Sequence, residues 1–137
     1  IVGFGEAIRS LQQDNPSQNH NISKLTSQLL DGLLTIPNAY LNGHKSERLL
    51  NTFNLSFQDV TAQSLMIALD QKGIALSTGS ACSSGSTDPS PMIQALNLDE
   101  ARLASAIRFS LGRTNTQDDI KKALTIIPET ISHLRGL

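Results

Sequence analysis

The sequence predicts a mixed α/β domain of the α+β type, with a small, mainly antiparallel sheet packed against helices. Three observations carry this. Apolar residues recur at helical spacing in two long stretches, they alternate with polar residues in short stretches between them, and glycine or proline punctuates the joints. With 137 residues, 39% hydrophobic and 17% charged, the chain is long enough for one domain with its own core.

In order along the chain, Glu6 to Leu11 are helix-compatible, with Gly3 and Gly5 weakening the start. Polar residues from Asp14 to Asn21 contain Pro16, where a helix is interrupted or restarts. Ile22, Leu25, Leu29, Leu33 and Ile36 then lie on one helical face, up to Pro37. Ala39-Tyr40-Leu41 reads as a strand entering a turn at Asn42-Gly43, and Phe53, Leu55 and Phe57 mark a half-buried strand. A helix from Thr61 to Lys72 turns Leu65, Met66 and Leu69 inward and ends at Gly73. Ile74-Ala75-Leu76 reads as a third strand. Ser90 and Pro91 suit a helix start, a second short helix begins near Asp99, and Ala106 to Gly112 alternates as a strand. Thr116 and Asp119 resemble a capping box for a final helix carrying Ile120, Leu124, Ile127, Ile131 and Leu134, with Pro128 as a kink.

Composition excludes several functions. Eleven basic and twelve acidic side chains give a net charge of −1, not the footprint of a nucleic-acid binder. No apolar run reaches the ~20 residues of a membrane helix, and nothing reads as a signal peptide. One cysteine forms no internal disulfide, which favours a reducing compartment. The chain starts at Ile1, as expected of a processed protein or a fragment.

Cys82 lies in the window from Ser77 to Thr87, STGSACSSGST, in which no side chain exceeds threonine in size. A lone cysteine is ordinarily a small buried hydrophobe, but serine, alanine and glycine neighbours make no apolar pattern. A thiol on a Gly/Ser loop is instead placed to move and react. No Lys, Arg or His lies between Lys72 and Arg102, so the usual local means of making a thiolate are missing from the loop. Activation of Cys82 then has to come from substrate, cofactor or another domain. The three histidines, His20, His44 and His133, read as surface residues, and no metal site is expected. Arg108 projects from a strand whose other face is Ile107, Phe109 and Leu111; it is either a solvated arginine or a fork-shaped donor for a carboxylate. Arg113, just past Gly112, could do the same but reads more readily as holding structure at the loop.

The runs ALSTGSACSSGSTDPS and ASAIRFSLGRTNT closely resemble the C-terminal part of NifS/IscS-type cysteine desulfurases, which carry an SSGSAC-type loop and an SIRFSLGR strand. IVGFGEA and SFQDVTAQSLMIAL are similar to that family's interdomain helix and small-domain core, so the resemblance spans the chain. It implies the small C-terminal domain of the aminotransferase fold type I, with residues 1–21 an interdomain helix and linker and 22–137 the domain carrying a mobile cysteine loop at about 77–87. It also implies pyridoxal-phosphate-dependent conversion of L-cysteine to L-alanine. By position in the motif, Cys82 would carry the sulfur as a persulfide and Arg108 would bind the substrate carboxylate. Expected partners are L-cysteine, an acceptor such as an iron–sulfur scaffold protein, and an N-terminal cofactor domain. A cytoplasmic homodimer is implied when the protein is complete, with no nucleic acid or membrane involved.

Departures shape the same expectation. The family's Schiff-base lysine follows a histidine in the large domain, and none of Lys24, Lys45, Lys72, Lys121 and Lys122 has that setting. This chain is therefore expected to bind no cofactor and to be inactive alone. Ala62-Gln63-Ser64 stands where Gly-Glu-Ser is common in the family, and the chain stops at Leu137 where members often continue. Two other readings stay open: a stand-alone persulfide-relay module and a non-catalytic structural domain.

Overall fold

The computed structural model describes residues 1–12, 16–78 and 91–136. Its elements run α1 (Val2–Gln12), α2 (Pro16–Leu33), β1 (Ala39–Asn42), β2 (Thr52–Phe57), α3 (Ala62–Asp70), α4 (Pro91–Gln94), α5 (Glu100–Ala104), β3 (Ala106–Ser110) and α6 (Gln117–Leu134).

Strand alternation builds the sheet. The three strands are antiparallel in the order β1-β2-β3. Phe53, Leu55 and Phe57 of β2 share one face with Ile107 and Phe109 of β3, all at or below 4% exposure. Phe53 and Phe109 are cross-strand partners whose rings stack with centroids 4.9 Å apart, a pairing that adds to the area they bury. Against this face lie Leu25, Leu29, Leu30 and Leu33 of α2, Leu65 and Leu69 of α3, and Ile120, Ile127 and Ile131 of α6. Each helix thus buries one stripe, the form tertiary packing gives to an amphipathic sequence.

Local chemistry sets the ends. Pro16 is the first residue of α2, where a missing N–H costs nothing. That helix stops at Leu33, short of the expected Ile36. Its last carbonyls are taken by tightening turns, with Thr35 N–H bonding Gly32 O and Ile36 N–H bonding Leu33 O, before Pro37. Thr61 caps α3 by accepting from Ser64 N–H, and Gly73 closes its other end at φ +78°. The Thr116–Asp119 capping box on α6 is complete in both directions, and Pro128 lies inside that helix.

One expected strand is absent. Residues 74–76 form no ladder, because Ile74 N–H is spent on Leu69 O at the end of α3. Ile74 and Leu76 pack against the core, and the segment meets β3 at a single bridge, Ser77 with Arg108. The strand expected up to Gly112 ends at Ser110, although Leu111 N–H still bonds Asn51 O. Met66, expected inward, is half-buried. Ser90, expected to cap α4, lies outside the described residues; Pro91 does open that helix.

Candidate functional site

The face of the sheet away from the core is polar. Because side chains alternate along each strand, Tyr40 and Asn42 of β1, Thr52, Asn54 and Ser56 of β2, and Ala106, Arg108 and Ser110 of β3 share it. One transverse row crosses all three strands: Asn42 opposite Asn54, Asn54 opposite Arg108, and Ser77 beyond Arg108 at the edge.

Backbone bonding places Arg108 close to Asn54. The Arg108 N–H donates to Ser77 O at 2.8 Å, and its C=O accepts from Ser77 N–H at 3.5 Å. Both main-chain groups therefore point away from β2, which makes Asn54 and Arg108 a non-hydrogen-bonded pair, the kind whose side chains approach more closely. Arg108 is half-buried, and among the described residues its guanidinium has no ion-pair or hydrogen-bond partner. A half-buried guanidinium with five N–H donors and no acceptor suits a planar oxyanion such as a carboxylate.

The other end of the row is closed by α5. Arg102 Nη2 donates to Asn42 Oδ1 at 2.6 Å and to Leu41 O at 3.1 Å, and its guanidinium sits 5.3 Å from the Tyr40 ring centroid. Asn42 Nδ2 in turn donates to Asn54 Oδ1 and to Ser56 Oγ, each at 2.7 Å, and Ser56 Oγ donates to Arg102 O at 2.7 Å. Asn42 is 6% exposed and Ser56 is fully buried. Asp99 caps α5 by accepting from the Arg102 main-chain N–H, and the Arg102 guanidinium has no carboxylate partner among the described residues. The polar face thus carries two cationic forks and no paired acid.

Of the two site residues the sequence singles out, Arg108 is placed on this face and Cys82 lies outside the described residues. Arg113 has the expected structural part, its Nη1 donating to Ser10 Oγ of α1 at 3.0 Å. His20, His44 and His133 are all exposed. Asn42, Asn54, Ser56 and Arg102 escaped the sequence reading. Asn42-Gly43 reads as turn chemistry, and Asn54 and Ser56 read as the ordinary polar half of an alternating strand. The outward alternation of Asn54 and Ser56 was the available signal; that Asn54 lies opposite Arg108 follows only from the register.

A covalently held aldehyde cofactor attaches through a lysine amine. Such a group needs an amine shielded from water, whereas Lys24, Lys45, Lys72, Lys121 and Lys122 are all exposed. Lys72 Nζ bonds Thr130 Oγ1 and Lys121 pairs with Asp118. The residues of this chain do not fit covalent attachment of that cofactor.

The aminotransferase class-V family model matches residues 1–123. A cysteine desulfurase IscS from Methanosarcina thermophila is 39% identical over all 137 residues of this chain, which are 34% of that protein. The cysteine desulfurase IscS of Shewanella loihica is 42% identical over the same residues, 33% of its length. Among solved structures, a NifS-like protein superimposes with a TM-score of 0.72 at 25% identity, over 85% of this chain and 29% of that one. A NifS-like protein from Rickettsia africae does so with a TM-score of 0.70 at 25% identity, over 89% of this chain and 30% of that one. The chain spans about a third of the length of the curated relatives it matches.

Proposed function

The chain belongs to the aminotransferase class-V family, and from that premise we propose that it is the small C-terminal domain of a pyridoxal-phosphate-dependent cysteine desulfurase. Its substrate is L-cysteine and its products are L-alanine and a persulfide on Cys82. The cofactor and its lysine belong to a part of the enzyme outside these residues, since every lysine here is exposed. The complete enzyme is a cytoplasmic homodimer that passes sulfur to an acceptor such as an iron–sulfur scaffold protein.

Within this reading Arg108 binds the substrate carboxylate in its unpaired fork and so fixes the amino acid relative to the sheet. Cys82 is the nucleophile. Its thiolate attacks the substrate sulfur, the carbon–sulfur bond breaks as the sulfur–sulfur bond forms, and the carbon keeps the electron pair and takes a proton, leaving as alanine. Charge balances, with one thiolate consumed and one persulfide anion produced. The loop has no cation of its own to make the thiolate, so deprotonation is tied to the arrival of substrate.

The observation that carries the proposal is the bridge between Ser77 and Arg108. It roots the segment leading to Cys82 directly beside the guanidinium that anchors the substrate. The relatives named cysteine desulfurase support the same chemistry. Cys82→Ser in the complete enzyme is expected to abolish the persulfide adduct seen by mass spectrometry, and Arg108→Ala to weaken L-cysteine binding by about tenfold or more, as loss of a charge-assisted pair does. A persisting adduct in the serine variant, or unchanged cysteine affinity in the alanine variant, overturns the corresponding assignment.

A further inference from the structure

We infer that Asn54 is a second carboxylate-binding residue beside Arg108, and that Arg102, acting through Asn42, sets which end of its amide faces the ligand. This deepens the reading above and rests on it, since it takes Arg108 as the carboxylate anchor.

An asparagine amide can present either its oxygen or its nitrogen, and here the choice follows from a chain of forced donors and acceptors. A guanidinium has no acceptor. The atom of Asn42 that lies 2.6 Å from Arg102 Nη2 is therefore its oxygen, and its nitrogen faces the other way. That nitrogen is the donor to Asn54 and to Ser56 Oγ. The Asn54 atom 2.7 Å from Asn42 Nδ2 must then be an acceptor, the Asn54 oxygen. Ser56 agrees, since it accepts from Asn42 and uses its own proton on Arg102 O.

What remains is the Asn54 Nδ2 amine. It has no partner among the described residues, and Asn54 is half-buried directly opposite Arg108 in a non-hydrogen-bonded pair. An N–H donor and a guanidinium side by side, on a face with no paired acid, form a composite site for one carboxylate: two N–H groups from Arg108 and one from Asn54. Had the amide pointed the other way, its oxygen would accept from Arg108 and compete with the ligand. The half-buried Arg102 charge is what excludes that arrangement. The ligand class is an α-amino acid carboxylate. Asn54 touches it, whereas Asn42 and Arg102 are positioning residues.

The test is an NMR titration of the full chain with L-alanine, and in parallel with L-alaninamide, which lacks the carboxylate. The signals followed are the Asn54 side-chain NH2 and the Arg108 Nε–H. Both are expected to shift together with L-alanine and neither with the amide. Asn54→Ala should weaken L-alanine binding about tenfold, one charge-assisted hydrogen bond. Asn42→Asp offers Asn54 only acceptors, so the amide turns over. The Asn54 NH2 shift should vanish and binding should fall to the same extent, with no additional loss when the two substitutions are combined. Backbone spectra check that each variant is folded. If Arg108 shifts but Asn54 NH2 does not, the inference is wrong and the Arg108 assignment stands. If neither shifts, the Arg108 assignment fails with it. An unaltered Asn54 shift in folded Asn42→Asp overturns the relay from Arg102.

Discussion

Removing Asn42 should be costly out of proportion to its size, because one buried amide serves three partners. Asn42→Ala deletes the bond from Arg102 at 2.6 Å and those to Asn54 and Ser56 at 2.7 Å, at a position 6% exposed. A neutral hydrogen bond contributes about 1 kcal/mol net and one to a charged group about 1.5–3 kcal/mol, giving roughly 4 kcal/mol in all. Two partners recover part of this. Arg102 keeps Leu41 O, and Asn54 is half-exposed and meets water, so the expected loss is about 3 kcal/mol. With a urea m-value of about 2 kcal/mol/M for a domain of this size, the midpoint should fall by about 1.5 M. Asn42→Asp is the control. Its carboxylate still accepts from Arg102, so at neutral pH it should stay within about 1 kcal/mol of the parent. Equilibrium urea unfolding followed by circular dichroism reads both. A loss below about 1 kcal/mol for the alanine variant would mean that water satisfies the network and that Asn42 fixes nothing.

Two further predictions concern the helices. A Cβ on Gly32 of α2 would drive into the side chain of Leu124 on α6. Gly32→Ala should therefore destabilise by about 1 kcal/mol, overpacking outweighing a helix-propensity gain of about 1 kcal/mol. In a Leu124→Ala background the same change should stabilise, and thermal melts of the four proteins test the reversal. Asp119 in the capping box is held below its usual value of 3.8 by the hydrogen bonds from Thr116 main chain and side chain. A depressed folded pKa gives stability that is present above the unfolded value and lost as pH falls through the folded one. The melting difference between parent and Asp119→Asn should therefore be full at neutral pH and shrink below pH ~3.8; a difference that persists in acid would contradict this.

What was legible in the sequence was what repeats or caps. The alternation of Phe53, Leu55 and Phe57 gave β2, and the spacing of Ile120, Ile127 and Ile131 gave α6, because burial of one face leaves a periodic trace. Thr116 with Asp119 gave the start of α6 through a local interaction three residues long. Residues 74–76 looked like a strand because three apolar residues fit one, but a strand also needs free main-chain groups, and Ile74 N–H was already used by α3. The candidate site divides the same way. Arg108 stood out as a charged residue in an apolar run. Asn42, Asn54 and Arg102 are as far as 60 residues apart, and their connection exists only once the register is set.

The two faces of the sheet make opposite demands, and this accounts for the distribution of side chains. The inner face is stabilised by apolar contact with α2, α3 and α6 and needs no polar group. The outer face could have been sealed by the same means, since apolar residues in place of a buried charge network are often as stable or more so. Instead α5 brings Arg102 over β1 and β2 with Nε left unpaired in the interior. A desolvated donor of that kind costs stability and does nothing for the core. It does impose a direction on Asn42, hence on Asn54, so that the amide opposite Arg108 arrives with its oxygen already engaged. Preorganised donors need no reorientation when an anion docks. Arg102 of α5, with its buried Nε left without a partner, is thus better understood through the ligand-facing end of the row than through the stability of its own surroundings.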